Sequence, residues 1–380
     1  MSIIPKSLHD GSSIINPIRR YWRARYSLPV QKGYYINKQN GEKLMKRRSL
    51  LTLGAAVVAG SLTMSGTAVA NAKDYVLNTA STGGTYHPVG TAIATLSKVK
   101  LLPKKKFSLT AVNSAGSGAN VQALGAGTAD FAILQGLFGS YAATGTGPVS
   151  APQKNLRSVT MLWQNVEQFV VANSAVKNGT ASDLLSLKGK SAGMGKQNSG
   201  TIGSNRVLLS GLGLDMDKDF KLMHAGYTPT ADALANGQIV AAGIPSGPPT
   251  SAITKLMAGN KGKFTILNIT PDEAKKMDGG RLLWTPYTLK AGTYPGQTKD
   301  VQTVAQPNFL AVNANVDDNH VYLLTKTMYE NLPFLQAIHP ATKVMAVEKA
   351  MNGLPVPLHP GAAKYYKEVG LKIPSHLVAK

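Results

Sequence analysis

With 380 residues, 43% of them apolar and 16% charged, the chain is long enough for two ordinary domains with real cores, which excludes disorder as its default state. It contains no cysteine, so disulfides, thiolate metal sites and cysteine nucleophiles are ruled out. The formal charge of +22 suggests nucleic acid until it is located: residues 1–72 hold 11 Lys/Arg against 2 Asp/Glu, which leaves 30 against 17, a net +13, for residues 73–380.

Much of that basicity belongs to a leader. Met45-Lys46-Arg47-Arg48 is followed by an apolar run, Ser49 through Gly60, and then by small residues ending Ala68-Val69-Ala70-Asn71-Ala72. A charged start, an apolar stretch and two A-x-A sites, Ala68/Ala70 and Ala70/Ala72, read as a secretory signal peptide over 45–72. Cleavage is expected after Ala70 or Ala72, and the general secretory route is favoured over twin-arginine export despite Arg47-Arg48. Residues 1–44, basic and aromatic without a clear apolar period, read as an N-terminal extension or an upstream mis-start. Glycine, serine and threonine interrupt the apolar run well short of the roughly 20 residues a membrane span needs.

Beyond the leader, residues 75–80 alternate as a strand and 89–99 form a helix with Ile93, Leu96 and Val99 on one side. The loop between them, Thr82-Gly83-Gly84-Thr85-Tyr86-His87-Pro88, carries small hydroxyl and glycine residues into a helix start, where exposed backbone N–H groups favour an anion. Lys104 to Lys106 read as a solvated turn before a strand at 107–112. A second loop, Ser114-Ala115-Gly116-Ser117-Gly118-Ala119-Asn120, opens a helix at 119–124, and a strand at 129–135 ends on Gln135. This alternation indicates an α/β domain with a mostly parallel sheet, whose ligands bind beyond the carboxyl ends of the strands.

Residues 158–162 and 168–172 are apolar runs, the second a connector strand into a separate unit. That unit opens with a helical turn at 183–190, a strand at 191–195, a third loop, Gly195-Lys196-Gln197-Asn198-Ser199-Gly200-Thr201, and a helix at 202–212. A helix at 231–235, a strand at 239–242, a rigid turn at Ser246-Gly247-Pro248-Pro249 and a helix at 251–258 follow. Gly292-Thr293-Tyr294-Pro295-Gly296 is another loop, 309–312 a return strand, 318–332 an amphipathic helix and 362–369 a short one. The chain thus crosses out at about 166–172 and returns at about 308–313, the pattern of a two-lobed clamp with ligand in the interdomain cleft. Lobe 1 is expected to comprise 73–167 and 309–380, and lobe 2 residues 168–308.

Catalytic constellations are missing. There is no GxxxxGK[ST], GxSxG or HExxH, and Gly193-Met194-Gly195 lacks the third glycine of a dinucleotide fingerprint. The seven His fall singly, three of them before Pro, with no i,i+4 pair for a metal, and no carboxylate pair flanks a loop. The Lys clusters at 104–106 and 275–276 lack interleaved aromatics, so no nucleic-acid partner is expected. No cofactor is expected either. What the loops supply is neutral donors: backbone N–H groups, Ser and Thr hydroxyls, Asn120, Gln135 and Tyr86. Such groups bind a carboxylate without burying an opposing full charge. The reading is a binding protein, with a secreted α/β enzyme or adhesin-like protein on the same clamp as the alternative.

Residues 75–370 resemble the TAXI family of extracytoplasmic solute receptors, the substrate-binding subunits of a class of tripartite ATP-independent periplasmic (TRAP) transporters. The matching segments are Thr82 to Gly90, Gly116-Ser117-Gly118-Ala119-Asn120, Gly127 to Gln135, Asn198-Ser199-Gly200-Thr201, Gly292-Thr293-Tyr294 and Leu358-His359-Pro360 through Gly370, the last with a packing role. The resemblance implies a two-lobed periplasmic-binding-protein fold of type II-like form, periplasmic localisation, and delivery of ligand to a TRAP membrane permease subunit. It also implies a small organic anion or amino acid as ligand: glutamate, glutamine, a dicarboxylate or an oxoacid. Onto this chain it carries Thr82, Gly83, Gly84 and Tyr86, then Ser117, Asn120 and Gln135, and Ser199, Gly200 and Thr201 from the second lobe, with Gly247 and Tyr294 as weaker candidates. A monomer is expected. The family often has a second aromatic where His87 stands and an acidic residue where Ala119 stands.

Overall fold

The computed structural model describes residues 72–379. The extension at 1–44 and the signal peptide, apart from Ala72, lie outside the described residues.

Strand β1 (Lys73–Asn78) leads to helix α1 (Tyr86–Lys100), a short α2 (Leu102–Lys105), β2 (Phe107–Val112), α3 (Ser117–Ala126), β3 (Phe131–Gln135) and α4 (Gly136–Thr144). A long strand, β4 (Leu156–Val166), then carries the chain toward the second lobe, where β5 (Phe169–Ala172), β6 (Ser191–Gly193), α5 (Gly200–Gly211), α6 (Met216–Asp219), β7 (Lys221–Leu222) and α7 (Tyr227–Ala235) follow. The sequence continues through β8 (Ala241–Gly243), α8 (Ser251–Gly259), β9 (Phe264–Ile266), α9 (Pro271–Asp278) and β10 (Thr285–Leu289). The return is β11 (Val301–Asn313), then α10 (Asp318–Glu330), α11 (Leu332–Ile338) and α12 (Pro360–Glu368).

Two sheets result, and their cores repeat one plan. In the first, β2, β1 and β3 run parallel and β11 lies antiparallel beside β3, with β4 and β10 pairing along β11. In the second, β7, β6 and β8 run parallel and β5 lies antiparallel beside β8, with β9 on its far side. Each sheet is therefore three parallel strands closed by the strand that crosses between lobes. Crossovers of this length are filled by helices, which bury both sheet faces.

The sequence dictates which faces are dry. Tyr75 and Leu77 of β1 are buried, and every residue of β3 is buried, as a central strand covered on both sides must be. They join Phe107, Ile93, Trp163 and Phe309 in the core of the first lobe. In the second lobe, neighbours Val170 and Val171 on β5 enter two different apolar clusters because successive side chains point to opposite faces.

The chain crosses between the lobes twice, side by side. Glu167 N–H donates to Val304 O at 2.9 Å, and Val166 bridges to Ser246. The return strand is far longer than residues 309–312: its first residues pair with β10 and its last with β4 and β3. Helices α4 and α9 and strands β9 and β10 were not legible in the sequence. The helix expected over 318–332 ends at Glu330, and α11 begins at once with Pro333 in its first turn, where its missing N–H costs nothing. The segment 104–106 is not a simple turn: Lys104 and Lys105 close α2, with Lys106 left-handed at its end, all three exposed. The motif Leu358 to Gly370 packs. His359 Nδ1 accepts Gly361 N–H to cap α12, and the Tyr366 hydroxyl donates to Val159 O at 2.8 Å.

Candidate functional site

The repeated plan places equivalent loops against one another. In each lobe the first and second parallel strands end in loops that open helices: β1 into α1 and β2 into α3, β6 into α5 and β7 into α7. All four helix N-termini border a single small cavity between the lobes. It is narrow, with room for a few waters at most. Its walls include Ser81, Gly84, Tyr86, Ser117, Gln135, Asn165, Lys196, Ser199, Gly200, Thr201, Tyr227 and Ser246. No carboxylate or imidazole is on this wall among the described residues, and Lys196 is its one charged side chain. Each helix N-terminus presents roughly half a positive charge, so the field inside favours an anion.

An asparagine staples each half. Asn120 on α3 donates from Nδ2 to Thr79 O and Ile133 O, both at 2.9 Å. Asn205 on α5 donates to Met194 O at 3.1 Å and Gly243 O at 3.2 Å. Each ties its helix to backbone carbonyls in or just beyond two neighbouring strands. The second-lobe helix begins at Gly200, two residues before the expected start, because the Ser199 side chain caps it by accepting Ile202 N–H at 3.1 Å.

The lobes touch directly around the cavity. Ala119 N–H donates to Asn198 O at 2.8 Å, and Gln135 Nε2 donates to Gly200 O at 2.9 Å. Thr85 Oγ1 donates to Gly247 O at 2.7 Å, and Gly83 O accepts from Ser251 Oγ at 3.0 Å. Glycine at 118 and 200 is required by this approach: an added Cβ would stand 2.6 Å from Asn198 O in the first case and 2.7 Å from Gln135 Oε1 in the second.

Of the residues expected from sequence, Gly84, Tyr86, Ser117, Gln135, Ser199, Gly200 and Thr201 are brought together on the cavity wall. The others are placed elsewhere. Thr82 is exposed on the turn, and Gly83 packs against Thr228 at the lobe contact. Asn120 is the strand staple. Gly247 packs on Trp163 and takes the Thr85 hydroxyl. Tyr294 is buried behind the site, its hydroxyl donating to Gln168 Oε1 at 2.5 Å, and burial pushes its pKa up to about 12. His87 stands off the wall, with Nδ1 3.4 Å from the Thr79 hydroxyl.

Sequence reasoning missed Ser81, Asn165, Lys196, Tyr227 and Ser246. A signal for Tyr227 was present: Tyr227-Thr228-Pro229 opens α7 as Tyr86-His87-Pro88 opens α1. The Tyr86 hydroxyl donates to Asn308 Oδ1 at 2.6 Å and lies 3.4 Å from Ser117 Oγ, its ring edge-on to Trp163. The Tyr227 hydroxyl donates to Pro245 O and lies 2.8 Å from Thr201 Oγ1. Desolvation drives both phenols well above their ordinary pKa, so they are neutral at any ordinary pH. Behind them, fully buried Glu167 accepts from Trp284 Nε1 at 2.9 Å and Gln306 Nε2 at 3.3 Å, and burial raises its pKa to about 7.

No described helix is long and apolar enough to cross a membrane. No group of three or more His, Asp or Glu is placed to hold a metal among the described residues.

Two α/β lobes joined by crossing strands, with helix N-termini facing one another across a cleft, define a two-lobed clamp of the periplasmic-binding-protein class. The chain belongs to the NMT1-like family, whose profile matches residues 77–370. Among solved structures it is similar to the periplasmic binding protein BugD, at 13% identity over 78% of this chain and 93% of that one, with a TM-score of 0.48. It is also similar to a TctC solute binding protein from Polaromonas (17% identity, 78% and 97% coverage, TM-score 0.42). A third likeness is the periplasmic aliphatic sulphonate binding protein SsuA from Escherichia coli (14%, 78% and 83%, 0.39).

Proposed function

We propose that this protein is a periplasmic solute receptor that closes on a small carboxylate-bearing solute of the glutamate, glutamine, dicarboxylate or oxoacid type and delivers it to a TRAP membrane permease. The observation that carries this reading is the wall of the interlobe cavity, where four helix N-termini, neutral hydroxyls and amides, and Lys196 meet with no carboxylate or imidazole among them. Neutral, pre-aligned donors can hold an anion without the desolvation cost of an opposing buried charge. Among the described residues the wall carries no paired acid and base, which favours capture over turnover. The permease and the monomeric state come from the resemblance of the motif string to TAXI receptors.

A thermal-shift panel on the full chain tests the reading, since a ligand that binds only the folded state raises the unfolding temperature by mass action. L-Glutamate, L-glutamine, succinate and 2-oxoglutarate are set against methylphosphonate and an alkanesulfonate. A concentration-dependent rise with at least one carboxylate is expected. A rise confined to the phosphonate or the sulfonate would replace the substrate class, and turnover of any panel member would replace the receptor reading.

A further inference from the structure

Between the lobes runs a chain of hydrogen bonds whose direction is fixed at one end. The Gly200 carbonyl can only accept, so the Gln135 amide turns Nε2 toward it, at 2.9 Å. Gln135 Oε1 then accepts from Asn165 Nδ2 at 3.4 Å, and Asn165 Oδ1 from Asn308 Nδ2 at 3.3 Å. This leaves Asn308 Oδ1 facing the Tyr86 hydroxyl at 2.6 Å. An amide oxygen has no proton to give, so Tyr86 is the donor. Gln135, Asn165 and Asn308 are all buried, and the orientation of each amide is set by the partner before it.

The Tyr86 proton is therefore committed away from the cavity, and the oxygen offers its partners only lone pairs. The opposite wall has the same polarity. The Tyr227 proton goes to the Pro245 carbonyl, so the Thr201 hydroxyl donates to Tyr227 and its own oxygen is left as an acceptor. Ser117 Oγ accepts Gln135 N–H at 3.1 Å, and its own proton has the Tyr86 oxygen as an acceptor 3.4 Å away.

Resting on the reading of this cleft as a carboxylate site, we propose that Tyr86 determines specificity: held as an acceptor by Asn308, it selects solutes that carry a hydrogen-bond donor, an ammonium, hydroxyl or amide, beside the carboxylate. An oxoacid or a plain dicarboxylate would set a lone pair or a C–H against the Tyr86 oxygen. A site built to pair a donor rejects the analogue that lacks it.

Calorimetric titration of the full chain with four probes on one carbon skeleton tests this. L-Glutamate and (S)-2-hydroxyglutarate carry the donor, and 2-oxoglutarate and glutarate do not. At least one donor-bearing probe is expected to bind roughly tenfold or more tightly than both others. Tyr86→Phe should bring the probes to within about threefold of one another. Asn308→Leu, which releases the Tyr86 proton toward the cleft, should move the preference toward 2-oxoglutarate. Equal or tighter binding of 2-oxoglutarate by the wild type overturns the proposal. Should none of the four bind, the carboxylate reading fails for this skeleton, and neutron diffraction decides the role of Tyr86 separately. A deuterium on the Tyr86 hydroxyl directed at Asn308 Oδ1 supports it, and one directed into the cavity overturns it.

Discussion

Glu167 accepts the indole N–H of Trp284 over 2.9 Å at the residue where the chain leaves β4 for the second lobe. The same oxygen takes Gln306 Nε2, while Oε2 is buried without a partner. Burial is the main cause that lifts the carboxyl to about 7 from its ordinary 4.5, against the lowering effect of the two donors. A folded-state value above the unfolded one means that folding takes up a proton between these pH values. Stability is fully present below about 4.5, falls as pH rises, and carries the whole penalty above about 7. Glu167→Gln keeps the acceptor and removes the charge. Urea denaturation should show the wild type losing about 3 kcal/mol relative to this variant between pH 4.5 and pH 8. Parallel pH profiles would show that Glu167 ionises in the folded protein as it does in the unfolded chain.

Ser117 and Ser199 both open helices on the cavity, but their hydroxyls are engaged differently. The Ser199 side chain caps α5, so Ser199→Ala should cost about 1 kcal/mol of folding stability. The Ser117 hydroxyl stands on the cavity wall and caps no helix, so Ser117→Ala should weaken carboxylate binding by about 1–3 kcal/mol. Denaturant midpoints and calorimetry on both variants separate the roles, and interchanged results would reverse the assignment.

Asn120 holds two carbonyls, one just beyond β1 and one within β3, rather than lining the cavity. Asn120→Leu should lower stability by about 2–3 kcal/mol, the order expected when buried carbonyls lose their donor. An unchanged denaturation midpoint together with lost ligand affinity would return Asn120 to the binding surface.

The lobe contact at Gly118 has no room for a side chain, with Asn198 O only 2.6 Å from where a Cβ would stand. Gly118→Val should therefore hold the lobes apart. Small-angle scattering is expected to give a larger radius of gyration than for the wild type, with the circular dichroism spectrum unchanged. Identical radii would mean that this contact does not limit closure.

How far the sequence carried the reading follows from where each signal resides. The α/β alternation and the loops after β1, β2 and β6 were legible because glycine, hydroxyl residues and proline punctuate the strand ends. The crossing strands were legible only in part. Residues 301–308 of β11 include Gln302, Thr303, Gln306, Pro307 and Asn308, polar or non-donating residues that do not read as a strand, yet they pair because neighbouring strands hold them. Lys196 lacks a local signal, because its place on the wall comes from the second lobe folding over the first, whereas Tyr227 carries one in the Tyr-x-Pro helix start that it shares with Tyr86. Asn120 shows the reverse error: its residue type and position suit a ligand, and only the three-dimensional structure reveals two carbonyls already holding its amide.

The claim that the interlobe cavity is a carboxylate site is tested most directly by calorimetric titration of the full chain and of Gly200→Ala. A Cβ at this position would stand 2.7 Å from Gln135 Oε1 and 2.8 Å from Ser117 Oγ, against two residues of the cavity wall. With L-glutamate, L-glutamine, succinate and 2-oxoglutarate as titrants, the wild type is predicted to bind at least one of them saturably, one per chain, and Gly200→Ala to lose that binding while remaining folded. Binding that survives unchanged in Gly200→Ala, or no saturable binding by the wild type, would contradict the account.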